Sequence, residues 1–167
     1  MPIRKARTSD VREIQKLVNA YAKRHKLIQR SLSDLYERVR DILVYEENGE
    51  LLGTCSMHVV WEDLAEIRSL AVRQDVRKKG IGRALVRAAL KDALKVGIRT
   101  AFVLTFYPKY FERNFGFSVV DKSALPNKIW SDCLNCHLFP DCSEVALTLP
   151  LAESKPKARK ATPRKGG

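Results

Sequence analysis

Between positions 66 and 83 the chain reads Glu66-Ile67-Arg68-Ser69-Leu70-Ala71-Val72, then Arg-Gln-Asp-Val, then Arg77-Lys78-Lys79-Gly80-Ile81-Gly82-Arg83. An apolar, strand-like run passes into a basic glycine loop. The loop opens onto Leu85, Val86, Ala89, Leu90, Ala93 and Leu94 at helical spacing. Glycines at 80 and 82 let the backbone turn tightly and bring N–H groups up to an anion. The helix that follows turns its positive end toward the same place. Arg77, Lys78, Lys79 and Arg83 add mobile countercharge. The pattern predicts a diphosphate site. A nucleoside-triphosphate loop is excluded because GxxxxGK[ST] is absent. A first dinucleotide-binding unit is excluded because GxGxxG is absent and the loop falls late in the chain.

The elements that must hold this loop are legible around it. Ile3 to Ala6 predicts a first strand, and Thr8 or Ser9 predicts the cap of a helix carrying Val11, Ile14, Leu17, Val18 and Tyr21. Ser33 is the expected N-cap of a short second helix. Ile42–Tyr45 and Leu51–Val60 flank Asn48-Gly49, a favoured hairpin turn. Leu64–Val72 and Thr100–Phe106 are strands on either side of the helix that starts near Gly82 and closes at Gly97. Pro108 starts a further short helix, and Phe117–Val120 and Glu144–Leu149 are late strands. This order predicts an α/β fold with a mixed sheet, parallel across the 64–106 unit.

The chain has 167 residues, 45% apolar and 30% charged, which suits one domain with a real core and excludes wholesale disorder. The sequence has no apolar run of membrane-spanning length and no secretory h-region at its start, so a cytoplasmic protein is expected. The net charge of +12 is unevenly distributed. Six of the 31 Lys and Arg lie in Ser154–Gly167, which holds no acid, leaving 25 cations against 19 acids, an excess of +6, elsewhere. That segment has no aromatic and no Ile, Leu or Val, so 154–167 is expected to be a disordered basic tail. A solvated terminus and a weak contact with nucleic acid by counterion release both fit it.

Arg77-x-x-Gly80-x-Gly82 after Ser-Leu-Ala-Val resembles the acyl-CoA loop of the GNAT N-acetyltransferase superfamily, and Asn114-Phe115-Gly116-Phe117 resembles that family's late aromatic–Gly–Phe segment. The resemblance runs from Ile3 to about Leu149. It implies a GNAT domain over 1–153, with acetyl-CoA as co-substrate and its pyrophosphate on the backbone of residues 77–83. It also implies pantetheine paired with the backbone of Leu70, Ala71 and Val72, between two parallel strands that splay apart. Finer segments resemble the short, stand-alone N-acetylglutamate synthases of bacterial arginine biosynthesis: Leu27–Ser31, His58–Arg68 and Leu125–Cys136. This branch implies acetylation of the α-amine of L-glutamate. Glutamine, another amine or a protein substrate is the alternative. A homodimer is also left open.

An α-amino dicarboxylate needs cationic clamps, and Arg30 and Arg68 are the candidates, since an arginine fork binds carboxylate in bidentate fashion. Alternation is expected to place Arg68 on one strand face with Leu70. Glu66 is the candidate base for the amine or, on the same face, a structural partner of Arg68. The resemblance implies a tyrosine that protonates the departing thiolate. Counting back from Gly116-Phe117 lands on Glu112, the segment carrying one extra residue, and Tyr110 is the candidate. Core packing is the other role for that ring, and solvent is the other proton source.

Cys133-x2-Cys136-His137-x4-Cys142 offers zinc-type ligands, but adjacent Cys136 and His137 suit one ion poorly and the paired CxxC spacing is missing. Reduced thiols are expected, and no metal is assigned. Cys55, alone in a strand, is expected to be a small buried hydrophobe. His25 and His58 stand isolated in the sequence and are assigned structural or solvated roles.

Overall fold

The computed structural model describes residues 2–25, 29–126 and 144–152. The cysteine-rich run 133–142, the tail 154–167 and the side chain of His25 lie outside them.

The strand before the glycine loop, β4 (Leu64–Val72), lies near the middle of a seven-stranded sheet. Its companions are β1 (Ile3–Lys5), β2 (Ile42–Glu47), β3 (Glu50–Trp61), β5 (Thr100–Thr105), β6 (Ser118–Val120) and β7 (Val145–Pro150), in the order β1-β2-β3-β4-β5-β7-β6. Asn48 and Gly49, with φ of 53° and 77°, make the tight β2–β3 turn that their types predict. Helix α3 (Ile81–Lys95) carries the chain from β4 to β5, which run parallel. Helix α4 (Pro108–Phe115) follows β5 and ends at Gly116, whose φ of 78° only glycine adopts without strain.

The two sheet faces bury separate cores. Leu85, Val86, Ala89 and Ala93 of α3 pack with Cys55, Met57, Ala65, Ile67, Ala101 and Val103, and Phe111 and Phe117 extend that layer. Helix α1 (Val11–His25) and the short α2 (Leu32–Glu37) cover the other face, where Val11, Ile14, Val18 and Leu35 meet Ile42, Val44, Leu51 and Ala71. Two caps differ from expectation. Asp10, not Thr8 or Ser9, fixes the entry to α1 by accepting from the Arg7 N–H at 2.7 Å. Ser31, not Ser33, caps α2, accepting from the Asp34 N–H at 3.1 Å.

Two irregularities of β4 shape the site. It pairs with β5 only at Leu64–Thr100, Ala65–Ala101 and Glu66–Phe102; beyond that point β4 follows β3 and β5 follows β7. The parallel strands therefore part after Glu66. Opposite β3, Thr54 pairs with Ala71 and Ser56 with Arg68, so β4 carries one extra residue there, and Ser69 adopts a φ of 55°.

Candidate active site

The bulge at Ser69 sorts the residues of β4 between two compartments. Ala65 and Ile67 face the α3 layer, and so do Leu70 and Val72, although simple alternation would send the last two the other way. Arg68 therefore shares a face with Glu66 but not with Leu70. The expectation that Arg68 and Leu70 lie together is corrected by that one extra residue.

On the α3 side, Lys78 and Gly80 both adopt left-handed backbone, with φ of 69° and 81°, and Gly80 is the N-cap of α3. A lysine held there costs about 1–2 kcal/mol, so the loop shape is maintained against local preference. The first turn of α3 holds no acidic residue to offset its positive end. A Cβ built on Gly82 would stand 3.0 Å from the Tyr110 hydroxyl, 3.6 Å from Val72 and 4.0 Å from Leu70. The helix start, the end of β4 and the tyrosine of α4 thus converge on one glycine. Tyr110 is half-buried and wedged edge-on against Phe111 and Phe115, with ring centroids 5.3 and 5.8 Å away. Burial, reinforced by Tyr21, pushes its phenol above the usual tyrosine range, with Arg83 opposing in part. Lys78, Lys79 and Arg83 are exposed. Arg77 is not mobile: its Nη2 donates to the Tyr21 hydroxyl at 3.3 Å, and the guanidinium lies 5.2 Å from that ring's centroid.

On the α2 side, a cleft is lined by Arg30, Asp34, Leu35, Arg38, Asp41, Ile42, Ser56, Arg68 and Ser69. Arg68 and Glu66 form an ion pair at 3.5 Å, with side chains only 8% and 12% exposed. Arg30 reaches Asp34 at 3.6 Å, and its backbone is fixed by Asn19 and Gln15 of α1. Arg38 also contacts Asp34, at 3.3 Å. Its Nη1 lies 2.7 and 3.2 Å from the two ring nitrogens of His58, and His58 Nδ1 is 3.0 Å from Asp41. Cross-strand register sets Ser56 opposite Arg68 and His58 opposite Glu66. The cleft offers arginine forks to an anionic ligand, against part-buried acids that fix where the forks point.

The GNAT acetyltransferase family model matches residues 9–117. The chain belongs to this family. It is 37% identical over 149 residues to an uncharacterized N-acetyltransferase of Chlorobaculum tepidum, covering 89% of this chain and 96% of that one. It is 36% identical over 133 residues to an amino-acid acetyltransferase of Mycobacterium tuberculosis, covering 78% and 75%. Among solved structures it resembles Rv2747 of Mycobacterium tuberculosis, crystallised in complex with CoA and NLQ, with a TM-score of 0.76 and 32% identity over 90% of this chain and 99% of that one.

In this GNAT acetyltransferase the expected residues fall into two groups on either side of the strand split. Leu70, Val72, Gly80, Ile81, Gly82 and Tyr110 gather at the start of α3; Arg30, Glu66 and Arg68 gather at the cleft. Ala71 is buried in the α1 core, so only its backbone is available to a ligand. Glu66 is the structural partner of Arg68, and its place beside the cleft keeps the base role open to it as well. His58 is not isolated. Arg38, Asp34 and Asp41 were not singled out by sequence. The Asp34–Arg38 spacing of four on one helix, and the count from Glu66 through the hairpin to His58, carry that information. Cys55 is fully buried, and burial pushes its thiol up to about 12. Among the described residues no helix is long and apolar enough to cross a membrane.

Proposed function

We propose that the chain transfers the acetyl group of acetyl-CoA to the α-amine of an acidic amino acid, L-glutamate, the reaction of the synthases of arginine biosynthesis that its sequence resembles. The observation that carries this reading is the meeting of Arg30, Arg38 and Arg68 in one cleft beside the split of β4 from β5. Three guanidinium forks suit two carboxylates, and the relative named amino-acid acetyltransferase supports the substrate class.

The loop fits the co-substrate's diphosphate. Left-handed backbone at Lys78 and Gly80 turns successive N–H groups inward, and at Gly80 only the Arg83 guanidinium comes within 4 Å of where a Cβ would stand, which leaves room for close approach. Along Ile67–Val72, β4 has no described strand partner on its β5 side, which leaves a backbone edge for an extended chain. Acetyl-CoA supplies the activated thioester. The protein's own groups do the rest. Arg68, held by Glu66, orients the acceptor carboxylate, while Arg30 and Arg38 take the distal one. Glu66 accepts the proton that the ammonium must lose before it can attack. A backbone N–H of the bulge at Ser69–Leu70 polarises the carbonyl. Tyr110, kept protonated by burial, donates its hydroxyl proton to the departing thiolate, and the second proton that the nitrogen sheds as the amide forms restores the phenol.

The test is steady-state kinetics with acetyl-CoA and glutamate, glutamine or an amine lacking the α-carboxylate, in wild type and Arg68→Lys. Glutamate should lead in wild type, and the variant should lose the preference for carboxylate-bearing acceptors. Equal use of the carboxylate-free amine, with no penalty from Arg68→Lys, removes the reading.

A further inference from the structure

Beside the cleft, in contact with its lining residues Arg38 and Asp41, stands a second acid–base group that the transfer just described does not use. His58 lies directly across the β3–β4 pair from Glu66, on the same face of the sheet. Side chains so placed have Cβ atoms about 4.5–5.5 Å apart, close enough to share a proton directly or through one water. The His58 side chain is 24% exposed, whereas Glu66 is 12% exposed. The histidine is therefore the more solvent-exposed member of the cross-strand pair.

Its surroundings fix the ring. Asp41, in the turn between α2 and β2, accepts from Nδ1 at 3.0 Å, which leaves Nε2 as the nitrogen available to take a proton. Arg38 approaches both ring nitrogens with the same Nη1. A nitrogen that close to both sits over the ring face, so it occupies neither in-plane lone pair. The groups facing His58 are Asp34 from α2, Arg38 at its C-cap, Asp41 from the following turn, and Glu66 and Arg68 from β4.

We propose that His58, oriented by Asp41, is a proton-relay residue: it takes from Glu66 the proton that Glu66 removed from the acceptor ammonium, and releases it to solvent. The inference rests on the acceptor reading above. Each turnover frees one amine proton. The ammonium N–H bond breaks as Glu66 is protonated, that O–H bond breaks as Nε2–H forms, and Nε2–H then passes its proton to water. Glu66 returns to the carboxylate that Arg68 needs as a partner. Without an exit, a protonated Glu66 shut behind the acceptor would leave both its own role and the fork of Arg68 impaired.

The experiment measures CoA release in wild type, His58→Asn and His58→Gln at low buffer concentration, then with imidazole added. CoA affinity and circular dichroism are measured alongside as controls of fold. Asn keeps an amide N–H for Asp41 and Gln places an amide where Nε2 stands, so each preserves part of the packing but neither carries a proton. Both variants should lose about a hundredfold in turnover and recover in proportion to imidazole, with CoA affinity unchanged. Wild-type turnover in either variant overturns the relay, and so does a loss that imidazole leaves untouched in a folded, CoA-binding variant. A wild type that acetylates no amino acid removes the acceptor reading and the relay with it.

Discussion

Alanine at the two loop glycines should separate stability from cofactor binding, because the two positions differ in physical character. Gly80 has a φ of 81° and open space around it, the nearest atom to an added Cβ being Arg83 Nη2 at 3.6 Å. Alanine there pays the left-handed penalty of about 1–2 kcal/mol. At about 2–4 °C per kcal/mol for a chain of this size, Gly80→Ala should lower Tm by about 2–8 °C. Gly82 lies within α3 without positive φ, so alanine gains up to about 1 kcal/mol of helix propensity. Against that gain stands one tight contact, 3.0 Å to the Tyr110 hydroxyl. The two effects offset, so Gly82→Ala should unfold within a few degrees of the wild-type temperature, on the order of 1 kcal/mol either way. The new methyl nonetheless stands among Tyr110, Val72 and Leu70, where CoA must run between the end of β4 and the start of α3. Losing a charge-assisted backbone bond there costs about 1.5–3 kcal/mol, a fall in CoA affinity of about ten- to a hundredfold. Thermal unfolding by circular dichroism and calorimetric titration with CoA read the two quantities independently. A Gly82→Ala protein that binds CoA as tightly as wild type refutes the loop assignment.

Tyr110→Phe should lower kcat about a hundredfold with CoA affinity unchanged, and because burial raises the phenol, wild-type kcat should hold through the pH range in which an ordinary tyrosine ionises. Arg68→Lys should lower kcat/KM for glutamate about ten- to a hundredfold and leave CoA affinity unaltered, as read by CoA-release kinetics and titration. Arg4 grips Asp10 through two bonds of 2.7 and 3.1 Å and holds its carboxyl below the usual range, so Asp10→Asn should cost about 1.5–3 kcal/mol at neutral pH. That contribution is complete above the ordinary aspartate value and fades as pH falls through the lowered one. The Tm gap between wild type and variant should thus narrow only below about pH 4.

Most of the frame was legible because it rests on local chemistry: Asn48-Gly49 at the hairpin, Pro108 opening α4, Gly80 and Gly82 opening α3. The caps of α1 and α2 were misplaced because several Ser, Thr and Asp residues compete there, and tertiary partners such as Arg4 settle the choice. The inserted residue at Ser69 could not be read from period-two alternation, since a bulge is defined by what lies opposite on β3. That shift moved Leu70 to the α3 side and left Arg68 with Glu66. Arg77 looks like a solvated cation in sequence, and only the packing of α1 against the end of β4 brings Tyr21 beneath it. The cleft was half legible. Arg30 and Arg68 announce themselves by type, whereas Arg38, Asp41 and His58 become a cluster only when α2 is laid over the β3–β4 pair.

The most direct test of the account is the acceptor profile of the unmodified protein, with acetyl-CoA held saturating and CoA release followed for glutamate, glutamine and an amine without an α-carboxylate. The arginine cleft predicts that glutamate has the highest kcat/KM, that glutamine follows, and that the carboxylate-free amine is used poorly. An equal or higher kcat/KM for the carboxylate-free amine would contradict it.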